Sequence, residues 1–176
     1  MIILIIGNSG CGKTYLSKNI AKIKKIPLFH MDQIKYKPEG YTPEFERTKE
    51  QINQIVKNIM KNKSYVIEGA SIALGRIFVK EATHLILINY QWEVCKASIF
   101  TRNLDCGRPS PIEERNSLLK WAEKYYERTE KNIASFKNHK KLFDDFKKTK
   151  YRLDSREEAN NLCTKFDDIK IDLSKY

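Results

Sequence analysis

The sequence has no Cys-x-x-Cys pair, no long apolar run, little glycine and little arginine. Its four cysteines, Cys11, Cys95, Cys106 and Cys163, lack the spacing of a metal site or a compact disulfide framework. A reducing, cytoplasmic setting is the simplest expectation. The longest apolar run, Met1–Ile6, falls far short of the ~20 residues that cross a bilayer. It has no basic flank before it, so a secretion signal is not expected there. Glycine supplies only 7 of 176 residues and proline 5, which excludes a collagen-like or Pro/Gly-rich disordered chain. Of 33 basic residues, 25 are lysine and 8 arginine, and arginine is the residue suited to bidentate phosphate and base contacts. The net charge of +11 therefore reads first as a basic, solvated surface that attracts anionic ligands, and second as a nucleic-acid footprint.

What is present suits one globular domain over residues 1–176: 41% hydrophobic and 31% charged residues. Short β-branched runs alternate with longer helical segments. Strands are expected at Met1–Ile6, Pro27–Phe29, Ser64–Ile67, His84–Ile88 and Tyr151–Leu153. The continuous apolar character of the first suits a strand buried on both faces. Helices are expected over Lys13–Lys24, from about Glu44 to Lys61, over Ser71–Glu81 and Trp92–Leu104, and after Ser155 to about Cys163. One long helix is expected from about Glu113 to Lys147, on the stripe Leu118, Ala122, Tyr125, Thr129, Ile133 and Phe136. Gln33–Pro43 reads as a loop, with Pro38, Gly40 and Pro43 as breakers. Strand–helix alternation implies a parallel sheet with helices on both faces.

One motif stands out. Gly7-Asn8-Ser9-Gly10-Cys11-Gly12-Lys13-Thr14 fits G-x-x-x-x-G-K-[ST] at every fixed position. The chain's own composition gives about 0.004 chance matches to that pattern. It also follows an expected strand and opens an expected helix. Small residues let successive backbone N–H groups turn inward onto phosphate oxygens, and the helix adds the positive end of its dipole. Lys13 reaches the β- and γ-phosphates as a mobile point charge, and the Thr14 hydroxyl completes a Mg²⁺ shell of waters and phosphate oxygens. Cys11 reads as a small filler within the loop. Tyr15 follows directly and joins the nucleotide-contacting set.

Other segments extend the pattern. They are Ile26-Pro27-Leu28-Phe29-His30-Met31-Asp32 with Tyr36, Pro38, Gly40 and Tyr41 behind it, Val66-Ile67-Glu68-Gly69-Ala70, and Leu85–Ile88 followed by Trp92 and Arg102. With the phosphate loop, they resemble the adenylate-kinase-like P-loop family often labelled topology-modulation proteins. The likeness covers about residues 1–105 and returns weakly at Tyr151–Ala159. It implies an α/β three-layer sandwich of the P-loop NTPase type. The expected five-stranded parallel sheet has the order 2-3-1-4-5, with a small lid at about 103–112. It also implies ATP or GTP with Mg²⁺, and phosphoryl transfer to a small acceptor. Three departures accompany it: Glu68 stands where the family usually has Asp, Tyr36 and Tyr41 where Trp is usual, and the lid offers little arginine beyond Arg102 and Arg108.

Asp32 follows the second strand at the sheet's carboxyl edge, where open α/β folds bind ligands. It is expected to orient or deprotonate an acceptor hydroxyl or to hold a Mg²⁺ water; otherwise it caps a helix or turn. Glu68 either accepts from a Mg²⁺-bound water or is a surface carboxylate. Arg108, and Arg102 beside it, would steady the transferring phosphoryl group, with stacking on the adenine open to Arg102. Arg76 suits an acceptor phosphate or an exposed salt bridge. His30, His84 and His139 have no partners at ligand spacing. Lys137–Lys141 and Lys147-Lys148 read as a solvated face or as a phosphate-backbone footprint. The expectation for the whole chain is an ATP-binding kinase acting on a nucleoside-like or small hydroxylated acceptor. The alternatives are a nucleotide-gated regulatory or nucleic-acid-binding protein with slow hydrolysis, and a degenerate kinase serving as a scaffold.

Overall fold

The computed structural model describes residues 1–101 and 112–167. The expected lid and its arginines, Arg102 and Arg108, lie outside the described residues, apart from Ile112 at the lid's end. The first strand, β1 (Ile2–Gly7), is central, and Ile3, Leu4, Ile5 and Ile6 are fully buried. Alternation sends Ile3 and Ile5 into one core and Leu4 and Ile6 into the other. A strand apolar at every position must be covered on both sides, and this one is.

Helix α1 (Lys13–Lys24) follows, as expected, and buries Leu16, Ser17 and Ile20. It stops where Lys25 turns left-handed and its N–H bonds back to Ala21 and Lys22. Next come β2 (Leu28–His30) and α2 (Met31–Lys35). Residues 33–35, expected as loop, belong to that short helix. Its two anchors, Met31 and Ile34, are too few to show a period in the sequence. The expected helix from Glu44 begins instead as a single 3₁₀ turn, Pro43–Phe45, and then α3 (Lys49–Met60). Thr48 and Gln51 form a capping box that fixes the start of α3.

The chain continues through β3 (Tyr65–Gly69), α4 (Ile72–Phe78), β4 (His84–Ile88) and α5 (Trp92–Thr101). Ser71 caps α4, which is shorter than expected at its C-terminal end. After the undescribed segment come α6 (Ile112–Glu123), α7 (Phe136–Asp145), β5 (Thr149–Leu153) and α8 (Arg156–Phe166). The long helix expected over 113–147 is thus two helices. Between them the Arg128 guanidinium stacks on Trp121 at 4.2 Å and donates to the Ala134 carbonyl at 2.7 Å. Ser135 then caps a new start, and the Phe136 N–H reaches back to the Tyr125 carbonyl. These tertiary bonds outweigh the 3–4-residue stripe.

The strands form one parallel sheet in the order β2-β3-β1-β4-β5, as expected. Side chains of α1 and α8 pack on one face, and those of α3 and α4 on the other. The register sets His30 beside Glu68, and Glu68 beside Ile5. This brings the ends of β1, β2 and β3 to one edge of the sheet.

Candidate functional site

The loop from β1 to α1 is the first part of the site. Gly10 sits at φ +78°, and a Cβ there would lie 2.4 Å from the Cys95 carbonyl oxygen. Gly12 sits at φ +89°, and a Cβ there would meet the Tyr90 ring at an ordinary 3.8 Å, so its need for glycine is conformational alone. α1 opens with no side-chain cap and no acidic residue in its first turn, which leaves its amides and dipole to an anion. The Lys13 ammonium is buried and donates to the Asn8 carbonyl at 2.7 Å. The Asn8 side chain, also buried, holds the loop at both ends of its amide. Its Oδ1 accepts from the Ser9 N–H at 2.8 Å, and its Nδ2 donates to the Ala122 carbonyl of α6 at 3.0 Å.

Beside the loop lies an oxygen-rich corner. The Thr14 hydroxyl donates to Glu68 Oε1 at 3.0 Å, and His30 Nδ1 meets the same oxygen at 2.7 Å. Burial pushes the Glu68 carboxyl up, but the bonds from His30 and Thr14 and the charge of Lys13 bring it net below the usual carboxylate range. Glu68 therefore carries its charge at neutral pH. Among the described residues no group of three or more His, Cys, Asp or Glu is placed to hold a metal. A hydroxyl and one carboxylate still suit Mg²⁺, which keeps waters and takes phosphate oxygens rather than a full protein cage.

Asp32 stands in the first turn of α2. Its side chain reaches solvent, yet protein atoms wall it on the other sides. That crowding pushes its pKa up, with help from Glu68 and against Lys13, His30 and Lys35. Two carboxyls at neighbouring strand ends thus shift in opposite directions. One turn on, the Lys35 ammonium donates to the Tyr36 hydroxyl at 2.9 Å and pairs with Glu46 at 3.5 Å. The segment from Tyr36 to Glu46 folds back as a flap, bridged antiparallel at its base, with Tyr36 and Tyr41 edge to face at 5.5 Å. The Arg47 guanidinium donates to the Gln33, Ile34 and Tyr36 carbonyls and closes the C-terminal end of α2.

Other expected site residues are engaged elsewhere. Arg76 donates to Asn132 Oδ1 at 2.9 Å and the Lys131 carbonyl at 2.8 Å, which takes it away from an acceptor phosphate. Tyr15 is 61% exposed. Cys11 is buried in the loop wall, as a filler would be. Three partners escaped sequence reasoning: His30, Tyr125 and His139. His139 is fully buried; its Nε2 meets the Ala70 carbonyl at 3.1 Å, so that nitrogen carries the hydrogen. Nδ1 then accepts from the Tyr125 hydroxyl at 2.7 Å. This tie fastens α7 to the loop after β3. No motif announces it, because its members come from three distant parts of the chain.

A family model described as the ATPase family associated with various cellular activities matches residues 3–85. In overall structure the chain is similar to shikimate kinase from Acinetobacter baumannii in complex with shikimate, with a TM-score of 0.57 at 16% identity, covering 99% of this chain and 93% of that one. The fold is that of a P-loop NTPase. A gluconokinase from Sinorhizobium meliloti 1021 shares this P-loop fold with a TM-score of 0.52 at 14% identity, over 93% of this chain and 91% of that one. Shikimate kinase from Aquifex aeolicus does so with a TM-score of 0.51 at 15% identity, over 94% and 93%. The likeness found is thus to shikimate- and gluconokinase-type small kinases. Among the described residues no helix is long and apolar enough to cross a membrane.

Proposed function

We propose that this chain is a small cytoplasmic kinase of the adenylate-kinase-like kind, working as a single domain. It transfers the γ-phosphoryl group of ATP, or of GTP, to a hydroxyl of a small acceptor. The juxtaposition at one edge of the sheet carries the reading: Lys13 in the loop, Thr14 bonded to the buried Glu68 carboxylate, and Asp32 opening the helix after the neighbouring strand. The structural likeness to kinases of small hydroxylated molecules supports the same reading.

In this reading the amides of Gly7–Gly12 and the start of α1 wrap the triphosphate, with Tyr15 at their outer side. Lys13 leaves the Asn8 carbonyl and neutralises the β- and γ-phosphates. Thr14 and Glu68 are the residues that hold Mg²⁺, which offsets the charge on the phosphate oxygens when bound. Asp32 accepts the acceptor's hydroxyl proton as its oxygen bonds to the γ-phosphorus. The bond from that phosphorus to the bridging oxygen breaks, and the nucleoside diphosphate leaves. Arg102 and Arg108 are assigned the developing charge. Most of the rate comes from positioning and charge stabilisation.

A nucleic-acid role has less behind it. Lys140 and Lys141 are paired with Asp144 and Asp145, and Lys148 donates to the Ala82 carbonyl. The test of the kinase reading is product analysis with γ-labelled ATP and Mg²⁺ against hydroxylated acids, sugars, nucleosides and nucleotides. Label is expected to move to one of these classes. Tight nucleotide binding with no transfer to any of them overturns the reading.

A further inference from the structure

We infer that His30 is a positioning residue for the metal corner: it holds the Glu68 carboxylate so that the Thr14 hydroxyl and one free carboxylate oxygen face the nucleotide's metal. The inference rests on the function proposed above and adds to it a residue with no place in the phosphate-loop motif.

Glu68 Oε1 accepts twice, from Thr14 Oγ1 at 3.0 Å and from His30 Nδ1 at 2.7 Å. An ionised carboxylate only accepts, so Nδ1 carries the hydrogen. Two donors on one oxygen fix the rotation of the carboxylate about its last bond. They also divide its lone pairs: Oε1 is used by protein, and Oε2 is left for a metal-bound water. Because the Thr14 hydrogen points to Glu68, the lone pairs on its oxygen point elsewhere, which is what a metal ligand requires. His30 is itself fixed by the sheet, since it pairs with Glu68 across β2 and β3 in register. The histidine side chain is 25% exposed against 7% for Glu68, so its ring also screens the carboxylate from bulk water. Among the described residues, the ring and the Thr14 hydroxyl are the two side chains that hydrogen-bond to Glu68. Removing it leaves the carboxylate free to rotate away from Thr14 or to take a proton.

The test needs no turnover. At pH 8, nitrogen-15 spectra of the ring in the nucleotide-free protein are expected to show the hydrogen on Nδ1. Hydrogen on Nε2 alone overturns the inference. Calorimetry with a non-hydrolysable ATP analogue, with Mg²⁺ and with EDTA, then separates metal-linked from metal-free binding. His30→Leu is expected to weaken binding about 10-fold in Mg²⁺ and to leave binding in EDTA unchanged. His30→Asn places an amide donor where Nδ1 stood and is expected to stay within about twofold of wild type, whereas His30→Gln, whose amide reaches further, behaves like His30→Leu. Equal losses with and without Mg²⁺, or no difference between Asn and Leu, overturn the inference. If the melting temperature of His30→Leu falls, Glu68→Gln gives a second path: adding His30→Leu to it is expected to produce no further loss of Mg²⁺-linked affinity, and an additive loss overturns the inference. A wild-type chain that binds the analogue in neither condition instead overturns the proposed function.

Discussion

The phosphate loop and the wall that carries Asp32 stand two strands apart, yet they are held by different forces. The loop rises from β1, whose core side chains are fully buried, and it is fixed by backbone geometry: Gly10 and Gly12 turned left-handed, Asn8 bonded at both ends of its amide, Lys13 bonded to the loop itself. The Asp32 wall rises from β2, an edge strand of three half-buried residues, and it is fixed by side-chain bonds among residues 30–47 and one to Glu68. Arg47 closes α2, Lys35 joins Tyr36 to Glu46, and His30 joins Glu68. In the function proposed above, the tightly bonded side is the one that takes the triphosphate, and the lightly built side, open to water, is the one that takes the acceptor.

The sharpest way to break this contrast is to disable each wall separately. Lys13→Ala is expected to weaken nucleotide binding by about 10²-fold or more, since it removes the buried ammonium bonded to the loop. Asp32→Asn is expected to leave nucleotide affinity intact and to lower kcat by about 10²–10⁴-fold. Calorimetry beside initial rates distinguishes the two. If Asp32→Asn costs nucleotide affinity instead, the division of the walls fails.

Next in size is the strain built into the loop. Gly10→Ala places a methyl against the Cys95 carbonyl and forces a left-handed alanine, for a loss of about 2–4 kcal/mol in urea unfolding. Gly12→Ala carries only the conformational cost, about 1–2 kcal/mol, because the added methyl meets Tyr90 at ordinary contact distance. Equal losses would mean that packing against α5 plays no part in holding the loop.

A smaller effect reads the tie behind the loop. Burial, with a contribution from Lys13 and against the Ala70 bond, pushes the His139 pKa down to about 3 from its ordinary 6.5. Between those values the unfolded chain binds a proton that the folded chain refuses. The stability contributed is therefore complete above about pH 6.5 and is lost as pH falls toward 3, by about 1.4 kcal/mol per pH unit. Urea midpoints measured from pH 8 to 4 should show that slope, and His139→Gln should flatten it. Tyr125→Phe, which strips the donor from His139 Nδ1, should cost about 1–3 kcal/mol at neutral pH. The smallest effect belongs to the lysines of α7: Lys140→Ala and Lys141→Ala should leave the urea midpoint unchanged, because both pairs are exposed.

The cradle and the sheet are legible along the chain. Glycine spacing, a lysine followed by threonine, and a six-residue apolar strand depend on contacts between near neighbours, and local chemistry is written in order along the chain. Strand–helix alternation reads as a parallel sheet covered on both faces, and its order came from the family resemblance. The rest was set by packing between distant segments. The stripe from Leu118 to Phe136 keeps helical spacing, yet the Arg128–Trp121 stack and the Ser135 cap split it into two helices. Arg76 has the right position after β3 for an acceptor and is nonetheless bound to residues 131–132. His30 and His139 looked alike as lone histidines, but one meets a carboxylate at a sheet edge and the other a phenol and a carbonyl in the core. A side chain's partners are set by which strands and helices are brought together, and pairings 38 or 69 residues apart leave no period in the sequence.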